Sequence, residues 1–301
     1  DFRNIQSEVE GIDFSRSERR VGESRPFFQE GNDLFQTRAG VGQYFYSRRI
    51  EKIDMGTKFY GKLGKRTNLG VLGTYDFADQ HGHPWRVHRQ DYVASLTQGA
   101  GEWGSFSATG VWKRSEMEQN AVLGYWAWVR FQKHLNLNVR YGSSAWEGIE
   151  EEKASSKEFR RGDLGNVSIN WYDGKLWFSP NFSFVSPKFQ ASNGFIEFPG
   201  RRGVSFSGNY WNEWRNSFIR MGGVELDGGY EERYQTGKGF EDVDGVLHRL
   251  VSTFGDRDAN ERFFRDHIEY YAGIETRTNF SFSQNGSFGH FREEDSPTAD
   301  Y

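Results

Sequence analysis

The chain has 301 residues, no cysteine, 38 basic against 42 acidic side chains and a formal net charge of −4, so no nucleic-acid partner of the electrostatic kind is expected. Aromatic residues make up 17% of it, with 36 Gly and 10 Trp, and the usual builders of soluble helices are not prominent, which argues against a helical enzyme. The mean hydropathy of −0.80 looks soluble and no run of about eighteen apolar residues spans a bilayer as a helix, yet a membrane barrel stays allowed, because only alternate residues of its strands meet lipid.

The chain opens on Asp1-Phe-Arg-Asn, with neither an initiator methionine nor a signal peptide, and reads as a fragment or processed piece. Residues 1–41 form a charged entry segment containing Gly and Phe, and residues 42–301 read as β wall. In the entry region Glu23, Arg25, Glu30, Asp33, Arg48 and Arg49 put opposite charges close together beside Phe27, Phe28 and Phe35. The planar guanidinium fork suits carboxylates, and two readings stay open. The segment is a lumenal plug whose charge pairs line a constriction, or the pairs merely lock the entry strand in place.

From Met55 onward period-two alternation recurs in pieces of roughly ten residues, the length that crosses a bilayer as a tilted strand. It predicts strands over Met55–Leu63, Leu69–Phe77, Asp91–Gln98 and Trp103–Lys113. In Ala121–Phe131 the set Ala121, Leu123, Tyr125, Ala127, Val129 and Phe131 would face lipid, while Val122, Gly124, Trp126, Trp128 and Arg130 face inward. A tight turn near Lys133-His134 then leads to Leu135–Gly142. Further strands are expected over Leu164–Tyr172, Leu176–Val185, Gly203–Trp211, Ser217–Tyr230 and Ile268–Ser283. Asp173-Gly174 is a strong hairpin signal, because both positions tolerate positive φ. The polar stretches 79–90, 147–163 and 237–266 read as longer loops, and Leu247–Phe254 fits a helix or a strand equally.

Few motifs suggest chemistry. His81, His83 and His88 with Asp79 lack a recognised metal-ligand spacing, so no metal and no cofactor is expected. The acidic runs Glu150-Glu151-Glu152 and Glu293-Glu294-Asp295 read as solvated surface rather than as the paired acids of glycoside hydrolysis. No Gly-x-Ser-x-Gly elbow occurs, and Gly56–Leu63 has Leu63 where a phosphate loop needs Ser or Thr. No catalytic residue is assigned. Inward Trp126, Trp128, Trp146, Trp171 and Trp177, with Arg130 and Arg140, would offer sugar rings a stacking track, an assignment that one residue of register error would reverse.

Three phrases stand in order: Asp1-Phe-Arg-Asn-Ile-Gln-Ser-Glu-Val-Glu10, Ser24-Arg-Pro-Phe-Phe-Gln-Glu-Gly31 and Tyr44-Phe-Tyr-Ser-Arg-Arg49. With them the chain resembles a family of bacterial outer-membrane barrels of unknown function, common in Bacteroidetes, whose longer members carry a domain similar to family 9 carbohydrate-binding modules. Lys58 with Gly61, and Phe189-Gln-Ala-Ser-Asn-Gly-Phe195, look similar to later landmarks of that family. Two departures matter. The binding-module domain is absent, and the chain ends in a polar tail rather than an aromatic terminal strand, which leaves room for an incomplete barrel.

The resulting expectation is an all-β, antiparallel up-and-down transmembrane β-barrel in the bacterial outer membrane. It would act as a channel, uptake component or envelope scaffold, with lipid as its main partner and an oligosaccharide or another small solute as candidate cargo. The alternative is a secreted or surface all-β carbohydrate-binding protein of a glycan-utilisation system, with an envelope glycoside hydrolase third. A continuous outward band of Leu, Val and Tyr would favour the barrel. A polar exterior around an apolar centre would favour the binding protein.

Overall fold

The computed structural model describes residues 22–35, 42–77, 87–149, 157–196, 199–233 and 263–291. The strands in chain order are β1 (Gly42–Gln43), β2 (Met55–Lys62), β3 (Thr67–Phe77), β4 (Val87–Gly99), β5 (Gly104–Ser115), β6 (Glu118–Gln132), β7 (Leu135–Ile149), β8 (Lys157–Tyr172), β9 (Leu176–Val185), β10 (Phe195–Ile196), β11 (Arg201–Glu213), β12 (Ile219–Arg233), β13 (Phe263–Thr276) and β14 (Ser281–Phe291). Twelve of them form one antiparallel up-and-down sheet in the order β14-β13-β12-β11-β9-β8-β7-β6-β5-β4-β3-β2, while β1 and β10 pair separately. The fold is therefore all-β. Strands β2 and β14 are its two edges and do not pair with each other among the described residues.

The turns follow the sequence closely. At Asp173-Gly174-Lys175 the Asp173 carboxylate accepts bonds from the amides of Lys175 at 3.1 Å and Leu176 at 2.9 Å, and Gly174 takes φ +96°. Several expectations are corrected. The stretches 79–90, 147–163 and 237–266 are not loops throughout, because β4 begins at Val87, β7 runs to Ile149, β8 begins at Lys157 and β13 begins at Phe263. Ile268–Ser283 is not a single strand, because residues 277–280 break it into β13 and β14, with Asn279 in the left-handed region at φ +62°, where Asn is tolerated better than most residues.

The chain divides into two compact units. In the first, which comprises residues 1–130, 138–166 and 188–199, the sheet's two faces differ sharply. Leu72, Val93, Val111 and Val122 lie side by side across β3 to β6 and are only 1–3% exposed. Their neighbours on the same face are largely polar or lack side chains: Thr74, Asp91, Ser95, Thr109, Asn120 and Gly124. The opposite face carries Val71, Leu96, Phe106, Leu123 and Tyr125, which are 41–49% exposed. The alternation expected in β6 is thus present, with Leu123 and Tyr125 outward and Val122 and Gly124 covered.

The second unit repeats the asymmetry. One face of β9 and β11–β14 presents Phe178, Tyr210, Leu226, Ile268, Ile274 and Phe288 at 42–68% exposure. Across the same strands the other face carries Ser207, Asp227, Glu269 and Ser287 in one row, and Asn209 and Glu225 in the next. A soluble sandwich is expected to show the reverse, with the larger apolar side chains turned away from solvent. Among the described residues no helix is long and apolar enough to cross a membrane, which says nothing about crossing by strands.

Candidate functional site: the segments packed on the covered face

Two regions far apart in sequence, residues 22–35 with 42–53 and residues 188–196, lie against the covered face of the first unit. The first begins with a single helical turn, α1 (Pro26–Gln29). Pro26 holds Arg25 in extended backbone and supplies the fixed φ that a first helical residue needs. Gly31 ends the turn at φ +59°, and a Cβ there would press on the Tyr60 ring, so both backbone and space call for glycine. Phe28, Phe35, Tyr44, Phe45 and Ile50 are buried beneath this layer.

Arg25 is its hub. One guanidinium nitrogen, Nη1, donates to the Ile50 carbonyl at 2.6 Å, and Nη2 donates to the Ser47 carbonyl at 2.9 Å and to Glu23 at 2.8 Å. Nε donates to the other Glu23 oxygen at 2.9 Å, and the group sits 4.4 Å over the Phe28 ring. Ser47 Oγ donates to Glu23 at 2.6 Å. Both members of the ion pair are 6% exposed.

Burial by itself would raise the Glu23 pKa, but the bonds from Arg25 and Ser47 outweigh it and hold the carboxyl below its ordinary 4.5. Because the folded value is the lower one, this stabilisation is complete above 4.5 and is lost as pH falls through the folded pKa. Proteolysis of residues 22–53 is therefore expected to stay slow at neutral pH and to accelerate only below 4.5. In Glu23→Gln that acid dependence should be weaker. An identical acid profile in the variant would remove Glu23 as the cause.

The other charges expected in this cluster are dispersed. Arg48 donates to the Gly22 carbonyl at 2.7 Å and Arg49 to that of Gly194 at 3.2 Å, so each guanidinium holds the backbone of another segment. The side chains of Glu30 and Asp33 are exposed. Glu30 contributes its carbonyl, which with that of Phe27 accepts bonds from Lys58 of β2. The Lys58 ammonium lies 5.2–5.5 Å from the centres of the Phe27, Phe35 and Tyr60 rings, a cation–π setting.

The second stretch is gripped by wall residues that local sequence reasoning did not single out. Asn193, fully buried, donates to Asp91 at 2.7 Å and accepts from Arg89 at 2.9 Å, while its carbonyl accepts from the Tyr46 amide at 2.6 Å. Arg89 also donates to Asp91 at 2.9 Å and to the Arg49 carbonyl at 2.8 Å. Asn120 donates to the Gln190 carbonyl at 2.9 Å and accepts from the Ser192 amide at 2.9 Å. Glu118 accepts from Ser192 Oγ at 2.8 Å and from Trp146 Nε1 at 2.7 Å, and pairs with Lys113. Strands β1 and β10 join the two stretches, with Gly42 opposite Ile196 and Gln43 opposite Phe195.

Glycines in the wall make room for this layer. The Tyr44 ring lies over Gly124 and Gly142, and a Cβ at Gly142 would come 2.6 Å from it. At Gly162 a Cβ would overlap the backbone of Lys188 and Phe189, which cannot rotate away as a side chain can. Gly162→Val is therefore expected to displace the 188–196 stretch at a cost of at least about 1–3 kcal/mol. Cleavage by protease within 188–196 should rise while the strand content seen by circular dichroism stays the same, and unchanged cleavage would count against the contact.

The tryptophans divide. Trp126 and Trp128 continue the covered face of β6, where Arg130 stands 5.3 Å over the Trp128 ring. Trp146 is buried, bonded to Glu118 and stacked under Arg160 at 5.1 Å, so its role is packing. Trp171 shares its face of β8 with exposed Val167 and Ile169. Trp177 pairs with Asn209 on the polar face of the second unit.

No family model and no curated protein matches this chain. The site therefore has to be read from its own chemistry. His88 lies 3.8 Å from Glu116, whereas Asp79, His81 and His83, both acidic runs and Leu247–Phe254 lie outside the described residues. Among the described residues no three His, Cys, Asp or Glu side chains are grouped to hold a metal ion. What the arrangement does chemically is to hold a layer of chain against a polar wall through hydrogen bonds.

Proposed function

We propose that this chain builds the wall of a bacterial outer-membrane β-barrel, and that residues 22–53 and 188–196 are its internal plug, making it a gated channel or uptake component. The observation that carries this reading is the inverted distribution of polarity. Large apolar side chains such as Leu123, Tyr125, Leu226 and Phe288 lie on the exposed face, while Asp91, Asn120, Asn193 and Thr74 are buried. In water an exposed apolar band of this kind is a liability. In a bilayer it is the face that lipid requires, with the polar set directed to the lumen.

The resemblance of the entry phrases to an outer-membrane family agrees with this reading, and Trp126 with Trp128 remain the candidates for stacking an oligosaccharide or a similar solute. No residue is assigned to catalysis. The test is to refold the protein with lipid vesicles and into planar bilayers. Insertion with trypsin-resistant strands and small or absent conductance is expected, with conductance rising when the plug is loosened. A monomer that stays in water and never enters lipid would overturn the proposal and favour the secreted binding protein.

A further inference from the structure

In an up-and-down sheet successive connections alternate between the two ends of the strands. Within the first unit one end holds only the short turns 63–66 and 100–103, and within the second one end holds only the short turns 133–134, 173–175, 214–218 and 277–280. The opposite end has the two-residue turn 116–117 and otherwise joins strands separated by more sequence, between Phe77 and Val87, Ile149 and Lys157, Val185 and Arg201, and Arg233 and Phe263. The chain as a whole is acidic, at −4, but its short-turn end is not.

In the first unit the strand ends and turns there carry Lys62, Lys65, Arg66 and Arg130 against Glu102 alone. In the second they carry Lys133, Lys175, Arg215, Arg220 and Arg277 against Asp173, Glu213 and Glu275. Among them Glu275 pairs with Arg220, Asp173 accepts from its own turn amides and Arg277 donates to the carbonyls of Trp214, Arg215 and Ser217, which leaves Lys133, Lys175 and Arg215 against Glu213. Lys65, Arg66, Lys133, Lys175 and Arg215 are exposed. The opposite end mixes signs at close range, with Lys52 between Asp54 and Asp76 and Arg160 beside Glu158.

Exposed rings stand beside these bases. Trp103, Phe131, Tyr172, Trp214, Phe218 and Phe280 all lie in or next to the short turns, and Trp103 is 72% exposed. Of these, Trp103, Tyr172 and Trp214 have an apolar body and a polar edge, and such rings settle at the headgroup level of a bilayer, while nearby Lys and Arg are drawn to anionic lipid within a Debye length. We infer that the short-turn end is a docking surface for anionic phospholipid headgroups. It seats that end of each unit in a negatively charged leaflet. This rests on the membrane reading above and adds to it which end meets which lipid chemistry.

The test compares vesicles of phosphatidylcholine alone with vesicles that also contain phosphatidylglycerol, at low and high salt. Insertion is read by flotation and by trypsin resistance. Two variants, Lys65→Gln with Arg66→Gln, and Lys133→Gln with Lys175→Gln and Arg215→Gln, treat the units separately, and circular dichroism confirms that each keeps its strands. Association is expected to be stronger with phosphatidylglycerol, to lose about fivefold for each base removed, and to lose its preference in high salt. Equal insertion into both vesicles, or variants that match the parent, would overturn the docking surface and leave the membrane reading standing. Competition by inorganic phosphate beyond that of chloride at equal ionic strength would also overturn it, by pointing to a small-anion site. Failure to enter either vesicle would overturn both.

Discussion

Arg25→Met is expected to release residues 22–35 and 42–53 from the covered face, and so to open the plug proposed above. The substitution removes the donors to Glu23, Ser47 and Ile50 together and leaves the Glu23 carboxylate, 6% exposed, without its cation. Deleting one partner of a buried pair costs about 3–5 kcal/mol, because the other charge stays buried and uncompensated. The loss falls on residues 22–53 and not on the strand ladders. The expected result is fast cleavage of that segment with the strands still protected, and a larger single-channel conductance. Glu23→Gln added to Arg25→Met should recover part of the loss, since no charge then remains buried. If the single variant matched the parent in both cleavage and conductance, Arg25 would not be the hub.

Leu123→Arg is expected to cost about 2–4 kcal/mol in a bilayer, the penalty of a cation near the midplane on the lipid face of a barrel strand. Leu123 lies in the middle of β6 and is 45% exposed, opposite Gly110 of β5, so in water the same change touches little and should be nearly neutral. The contrast between the two solvents is the measurement. Refolding into vesicles followed by urea titration should show the loss, while the protein kept in detergent-free buffer should show almost none. A penalty of equal size in both would mean that Leu123 packs against protein, and the outward band would need another explanation.

Much of the sheet was legible because a strand declares itself locally. Leu176–Val185 has the bounds that alternation predicts, and the 133–134 turn falls where the polar pair interrupts the pattern. Ile268–Ser283 was read as one strand because its turn, Arg277-Thr-Asn-Phe280, carries no Gly or Asp-Gly signal, and a single Asn at positive φ reverses the chain.

The inner layer was legible only in part, for the same reason. Arg25 and Glu23 are two residues apart, and their pairing could be anticipated from the entry phrase. Asp91 and Asn193 are 102 residues apart, and nothing within either neighbourhood names the other. The resemblance had marked Phe189–Phe195 as a landmark without giving it a location. An Asp or Asn next to a covered apolar residue on the same face of its strand, such as Asp91 beside Val93 or Asn120 beside Val122, was the available signal, since a buried polar group demands a partner.

The two-piece inner layer also fixes an order of events. Its bonds join residues 102 apart at Asn193 and Asp91 of β4, and 145 apart at Arg49 and Gly194, which link the two stretches to each other. The bonds to Asp91, Asn120 and Glu118 need strand residues whose positions exist only once the ladders that carry them are in place. Contacts this distant in sequence form late, after the entropy of closing the intervening chain has been met by local hairpins. The wall must therefore assemble before it is filled. On the barrel reading proposed above, a newly assembled molecule passes through a stage in which the polar face is bare, and the time to become sealed is set by the docking of residues 22–35, 42–53 and 188–196, separately from the time to insert.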